Sequence, residues 1–89
     1  MADVNETLAS RQTTYGDFED VAHRSQMIKT AIRSAKNWNR LSPSQRETLE
    51  MISNKIARIV EGDPAYIDSW HDISGYSQLV VNWLESKDP

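Results

Sequence analysis

The stretch Lys55–Tyr76, KIARIVEGDPAYIDSWHDISGY, is the one around which the rest of the chain is organised. Its first part ends one helix, Gly62-Asp63-Pro64 turns the chain, and the remainder opens a second helix with polar groups where core residues are expected. Lys55 and Arg58 lie three apart near the end of the first helix, and Asp68, Asp72 and Tyr76 follow at steps of four in the second. Steps of three and four place side chains on one helix face. With the two helices folded back on each other, a compact cationic pair meets an anionic ladder across a short hairpin. Such an arrangement is either a structural salt-bridge network or a site for a charged ligand, and the sequence leaves both open.

Working upstream, Ser42-Pro43-Ser44-Gln45 carries a capping serine, a proline at the first helical position and a glutamine three beyond the cap. The three signals together predict a helix over 43–61. Leu49, Ile52, Ile56 and Val60, with Met51 and Ile59 beside them, are its expected buried stripe, and Gly62 is placed to end it as a left-handed cap. Further back, Phe18, Val21, Ala22, Ile28, Ala31, Ile32, Ala35 and Trp38 recur at helical spacing and predict a helix over 18–38 capped by Asp17. Lys29, Arg33, Lys36 and Arg40 form a basic stripe on its flank. A short N-terminal helix over 3–12 is expected from the capping pattern of Asp3 and Glu6, interrupted by Thr13-Thr14-Tyr15-Gly16.

Downstream, the last helix is predicted over 67–85. Ile67, Trp70, Ile73, Ser77, Val80, Val81 and Leu84 trace one face, and Tyr76, Leu79 and Trp83 a second. A helix apolar on more than one side wants more than one neighbour, and in a short chain a second copy is the expected source. Gly75 inside this helix suggests close approach of another backbone or a ligand. The fold class is therefore all-α: a small bundle of three to four helices with a central hairpin, in one domain spanning 1–89 and expected to be a homo-oligomer.

Composition narrows the function classes. Eighty-nine residues make a single domain with a modest core. There is no cysteine, hence no disulfide framework or thiolate metal site, and the chain suits a reducing cytoplasm. No run approaches the ~20 apolar residues that cross a bilayer, and the N-terminus lacks signal-peptide character, so a cytoplasmic location in a bacterial cell is expected. The net charge of −3 hides a segregation, with residues 24–58 basic and both ends acidic. An acidic total argues against general nucleic-acid binding. His71 beside Asp72 does not make an acid–base pair, because adjacent helical residues point about 100° apart. Trp38, Trp70 and Trp83 fall on apolar stripes and suit core or subunit contact.

Arg11 with Tyr15-Gly16-Asp17, Ser42-Pro43, Lys55-Ile56-Ala57-Arg58 and Asp68-Ser69-Trp70-His71-Asp72-Ile73-Ser74-Gly75-Tyr76 resemble, in content and order, an uncharacterised family of small phage and prophage proteins. The resemblance covers most of residues 11–80 and implies a phage setting and a helical fold rather than a reaction. A more distant similarity is to all-α nucleoside triphosphate pyrophosphohydrolases of the MazG kind, which gather carboxylate pairs on antiparallel helices to hold magnesium. Glu47 and Glu50 supply one candidate metal pair, and Asp68 and Asp72 stand in for the other at a different spacing.

The preferred expectation is a non-enzymatic phage accessory protein without a cofactor that binds a small phosphorylated ligand such as a nucleotide, or a host protein. Its candidate ligand residues are Arg11, Tyr15, Lys55, Arg58, Asp68, Asp72 and Tyr76. Arginine and lysine suit phosphate, tyrosine stacks or hydrogen-bonds, and aspartates orient the cations. The alternatives are a Mg²⁺-dependent pyrophosphohydrolase-like protein, active or degenerate, and a purely protein-interaction module.

Overall fold

The structure is a computed structural model that describes residues 4–87. Over those residues the protein is all-α: α1 (Val4–Tyr15), α2 (Phe18–Arg33), a 3₁₀ turn (Trp38–Arg40), α3 (Pro43–Glu61) and α4 (Ile67–Lys87). None of the described helices is long and apolar enough to cross a membrane. Helix α3 is the centre, with α2 against one flank and α4 against the other, while α1 touches α2 and α3 more lightly. The three longer helices thus lie roughly as one layer, and the molecule measures 53 × 26 × 22 Å.

Local chemistry fixes the starts of the central helices. The Asp17 side chain accepts from the Glu19 N–H at 2.9 Å, capping α2. At α3 both halves of the capping box form: the Gln45 N–H donates to Ser42 Oγ at 3.1 Å and the Ser42 N–H to Gln45 Oε1 at 2.8 Å. The proposed cap by Asp3 lies outside the described residues.

Several boundaries differ from expectation. Helix α1 does not stop at Gln12 but runs through Thr13 and Thr14 to Tyr15, the Thr13 hydroxyl donating back to the Ala9 carbonyl. Helix α2 ends at Arg33 rather than Trp38. Ser34 Oγ donates to the Ala31 carbonyl, and Arg46 draws the carbonyls of Trp38 and Asn39 toward itself, which turns this segment out of the helix. Gly62 is not a left-handed cap, since its φ is −116°; the positive φ belongs to Gly16, at +92°.

The core is thin and lined by small residues. Val21, Ser25, Ser53, Ala57, Ile59 and Ser69 are buried, and among the described residues no large side chain is fully enclosed. The expected α3 stripe holds at Ile59, which is buried, and at Ile52, which is half-buried, but Leu49, Met51, Ile56 and Val60 are left exposed while Ser53 and Ala57 are buried instead. Small residues let helix backbones approach closely, and the two neighbours of α3 sit on opposite flanks, so larger residues between those flanks stay uncovered. On α4 the inward line is Ser69, Ile73, Tyr76, Val80 and Trp83, with Ile67, Trp70, Leu79, Val81 and Leu84 outside. Gly75 makes no close approach, because a Cβ there would meet nothing within 4 Å.

Candidate functional site

Two glycines bind the end of α1 to the end of α3. A Cβ on Gly16 would lie 2.7 Å from the Glu61 carbonyl oxygen, and one on Gly62 would lie 2.5 Å from the Tyr15 carbonyl carbon. Real side chains do not fit at either distance. The Asp63 N–H donates to the Thr14 carbonyl at 2.9 Å and completes the clasp. Helix α1 is thereby laid across the Arg58 side of the layer, and Tyr15 is delivered to the top of the α3–α4 hairpin.

Around Tyr15 the aromatic and cationic groups gather. The guanidinium carbons of Arg11 and Arg58 lie 4.7 and 5.0 Å from the centre of its ring, within cation–π range. Tyr66 meets it edge-on with ring centres 5.4 Å apart. The Tyr15 hydroxyl donates to Tyr66 Oη at 3.5 Å, and the Tyr66 hydroxyl donates to Asp68 Oδ2 at 3.0 Å. The bonds to Tyr15 and then to Asp68, reinforced by the aspartate charge, hold the Tyr66 phenol protonated well above the usual range.

Beneath this cluster, a cleft of about 560 Å³ opens between α1, α2 and α3. Its charged lining among the described residues is Arg11, Lys29 and Arg58, with no carboxylate. None of these three cations takes part in an ion pair among the described residues; the pairs formed are Arg24–Glu61, Arg33–Glu50 and Lys55–Asp72. Leu8, Phe18, Val21 and Ala22 supply an apolar wall, while Gln12, Gln26 and Asn54 supply amides.

Ser25 also lines the cleft, and it is only 3 % exposed. Other helical serines fold their hydroxyls onto the carbonyl four residues back: Ser53 onto Leu49 at 2.7 Å and Ser77 onto Ile73 at 2.9 Å. Ser25 Oγ has no such partner among the described residues. A buried hydroxyl without a partner costs about 1–3 kcal/mol, and this one sits at the wall of the cationic cleft.

Of the sequence-derived site residues, Arg11, Tyr15 and Arg58 come together in this cleft. Arg58 turns to the Tyr15 ring, while Lys55 alone spans the hairpin, its Nζ 3.1 Å from Asp72 Oδ2. Lys55 and Asp72 thus form a staple between α3 and α4 and do not line the cleft. Asp68 joins only through Tyr66, and Tyr76 packs half-buried on the inward line of α4. Sequence reasoning missed Ser25, Tyr66 and the amides; Lys29 stood in the basic stripe, from which Arg33 departs to pair with Glu50.

The metal candidates stay apart. Glu50 pairs with Arg33 and Asp72 with Lys55, Asp68 accepts from Tyr66, and Glu47 is exposed. Among the described residues no three carboxylates or histidines come within reach of a common ion. No protein-family model, curated protein or solved structure matches the chain.

Proposed function

We propose that this chain is a non-enzymatic accessory protein that binds a small phosphorylated ligand in the cleft between α1, α2 and α3, with a nucleotide as the best fit. The supporting observation is the convergence of Arg11, Lys29 and Arg58 on one concavity that no carboxylate lines among the described residues, beside the Ser25 hydroxyl, which has no partner among them. Guanidinium groups bind phosphate oxygens through paired, charge-assisted hydrogen bonds, and a hydroxyl can donate one more. The volume falls within the range of small-molecule sites. Leu8, Phe18 and Val21 offer the apolar contact a base needs, and the amides of Gln12, Gln26 and Asn54 suit its edge. A setting in a phage or prophage is proposed on the sequence resemblance alone.

The test is a thermal-shift panel of inorganic phosphate, mononucleotides, cyclic nucleotides and nucleoside triphosphates, with and without Mg²⁺. A ligand at a hundredfold excess over its dissociation constant adds about 2.7 kcal/mol, which is roughly 10 °C or more for a domain of this size. A nucleotide is expected to raise the melting temperature without needing Mg²⁺, and inorganic phosphate to do so less. A panel with no shift at millimolar concentration refutes the proposal. A shift seen only with triphosphate and Mg²⁺ favours the pyrophosphohydrolase alternative.

A further inference from the structure

The face of the helix layer opposite the cleft is apolar and uncovered. On α3, Leu49, Ile56 and Val60 follow at steps of seven and four and so share one side, about 200° around the helix from Arg58 in the case of Val60. They are 41, 38 and 59 % exposed. On α4, Trp70, Ser77, Val81 and Leu84 repeat the same spacing, with Trp70 54 % exposed. The two lines adjoin, because a shallow cavity of about 290 Å³ brings Leu49 and Ile52 of α3 against Ser77 and Val80 of α4. Lys55, Asp72 and Arg58 emerge on the other side, where α1 lies.

We infer that this face is the seat of a second copy of the chain, α3 and α4 of each protomer meeting their counterparts across a two-fold axis as a four-helix arrangement. Area supports this occupant. A compact monomer of 10.2 kDa exposes about 5,300 Å², whereas this chain exposes 6564 Å², an excess of roughly 1,200 Å². A standard interface removes about 800 Å² from each partner, so one self-association accounts for most of the excess. The radius of gyration agrees, at 15.5 Å against about 12 Å for a compact domain of this length. Chemistry supports it as well. Neither line carries a charged residue, which gives no complementary pattern for a charged partner but suits a self-complementary patch meeting itself. Two packed layers are also the usual minimum for a helical domain, and this protomer supplies about one. The sequence had pointed instead to Tyr76, Leu79 and Trp83, but Tyr76 and Trp83 pack inward on α3.

The experiment is light scattering and sedimentation of the full chain across the micromolar range, with melts at several concentrations. The expected mass is twice 10.2 kDa, and the melting temperature should rise with concentration. Val81→Glu is expected to give a folded monomer, while Leu79→Glu, at a more exposed site on the other side of α4, should stay dimeric. Val60→Ser, mild enough to leave the fold intact, should raise the dimer dissociation constant about tenfold or more. A wild-type monomer with a concentration-independent melt overturns the inference and leaves the face for a different protein. A dimer broken by Leu79→Glu but indifferent to Val60→Ser overturns it too. The ligand panel reads the opposite face, so the two proposals fail independently.

Discussion

Replacing Arg58 by alanine separates a binding site from a structural network. Had Arg58 been locked in a buried ion pair across the hairpin, its loss would strand a carboxylate and cost about 3–5 kcal/mol. It is not so placed. It makes no ion pair among the described residues, and its guanidinium rests 5.0 Å from the Tyr15 ring centre. A cation–π contact at a partly exposed site contributes about 0.5–1 kcal/mol, and the stem adds some packing. Against this stands the relief of repulsion, since Arg11 approaches the same ring and Lys29 the same cleft. The net cost is therefore expected to be about 1 kcal/mol or less, roughly 4–8 °C at most in melting temperature. Binding should respond differently: losing one charge-assisted contact removes about 1.5–3 kcal/mol, or roughly ten- to a hundredfold in affinity. Asp72→Asn is the control. It breaks the Lys55 staple, whose aspartate is 48 % exposed, so it should cost under about 1 kcal/mol and leave affinity unchanged. Urea melts followed by helical circular dichroism, beside calorimetric titration with the nucleotide found in the panel, give both numbers. A destabilisation of about 3 kcal/mol or more for Arg58→Ala, or an unaltered affinity, would refute the reasoning.

The glycines make contrasting predictions. Gly16→Ala combines a positive φ with a 2.7 Å clash and is expected to cost about 1–3 kcal/mol or more, whereas Gly62→Ala suffers only the clash with Tyr15 and Thr14; both should also weaken ligand binding by displacing α1, and chemical melts with titration will check them. Gly75→Ala, in open space within α4, should stabilise by roughly 1 kcal/mol, and a loss of stability in the same melt would show that something does approach that backbone. For Tyr66 the folded protein favours the protonated phenol, so the hydroxyl's stabilisation is fully present below its ordinary value of 10.0 and is lost as pH rises above it. Melting temperatures of wild type and Tyr66→Phe should therefore converge above pH 10, and parallel curves would show that the hydroxyl network contributes nothing.

What the sequence discloses here is mostly local. Ser42, Pro43 and Gln45 set the start of α3 because a capping box needs no distant partner, and both of its hydrogen bonds form. The end of α2 carries no glycine or proline. It is marked by Ser34, whose hydroxyl donates to the Ala31 carbonyl, and the turn that follows is held by Arg46 of another helix through the carbonyls of Trp38 and Asn39, contacts invisible in the periodicity. The same limit governs burial. Periodicity shows that Leu49, Ile56 and Val60 share a side, but not that α2 and α4 pack on the flanks of α3 and leave that side bare. In the site, Arg11, Tyr15 and Arg58 were legible because arginines and tyrosines near turns stand out by type. Ser25 was not, since a serine on an amphipathic helix becomes informative only once its hydroxyl is seen to lack the usual carbonyl.

Helix α1 joins these threads. It has 12 residues and none of them buried, a length at which an isolated helix is marginal in water. Val4 and Leu8 remain 70 and 53 % exposed, so apolar burial contributes little to holding it. What holds it is concentrated at its C-terminal end: the Gly16 and Gly62 clasp, the bond from Asp63 to Thr14, and the packing of Tyr15 against Tyr66 and Arg58. The rest of the helix reaches over the cleft, where Arg11 is brought toward Arg58 and Lys29 without a counter-charge among the lining residues. In the free protein these like charges oppose the docking of α1. An anion between them would reverse the sign of that contribution and join α1 to α2 and α3. On the proposed binding function, occupancy of the cleft and docking of α1 onto the layer would be coupled, and part of the binding energy would go to holding a helix whose own contacts are sparse.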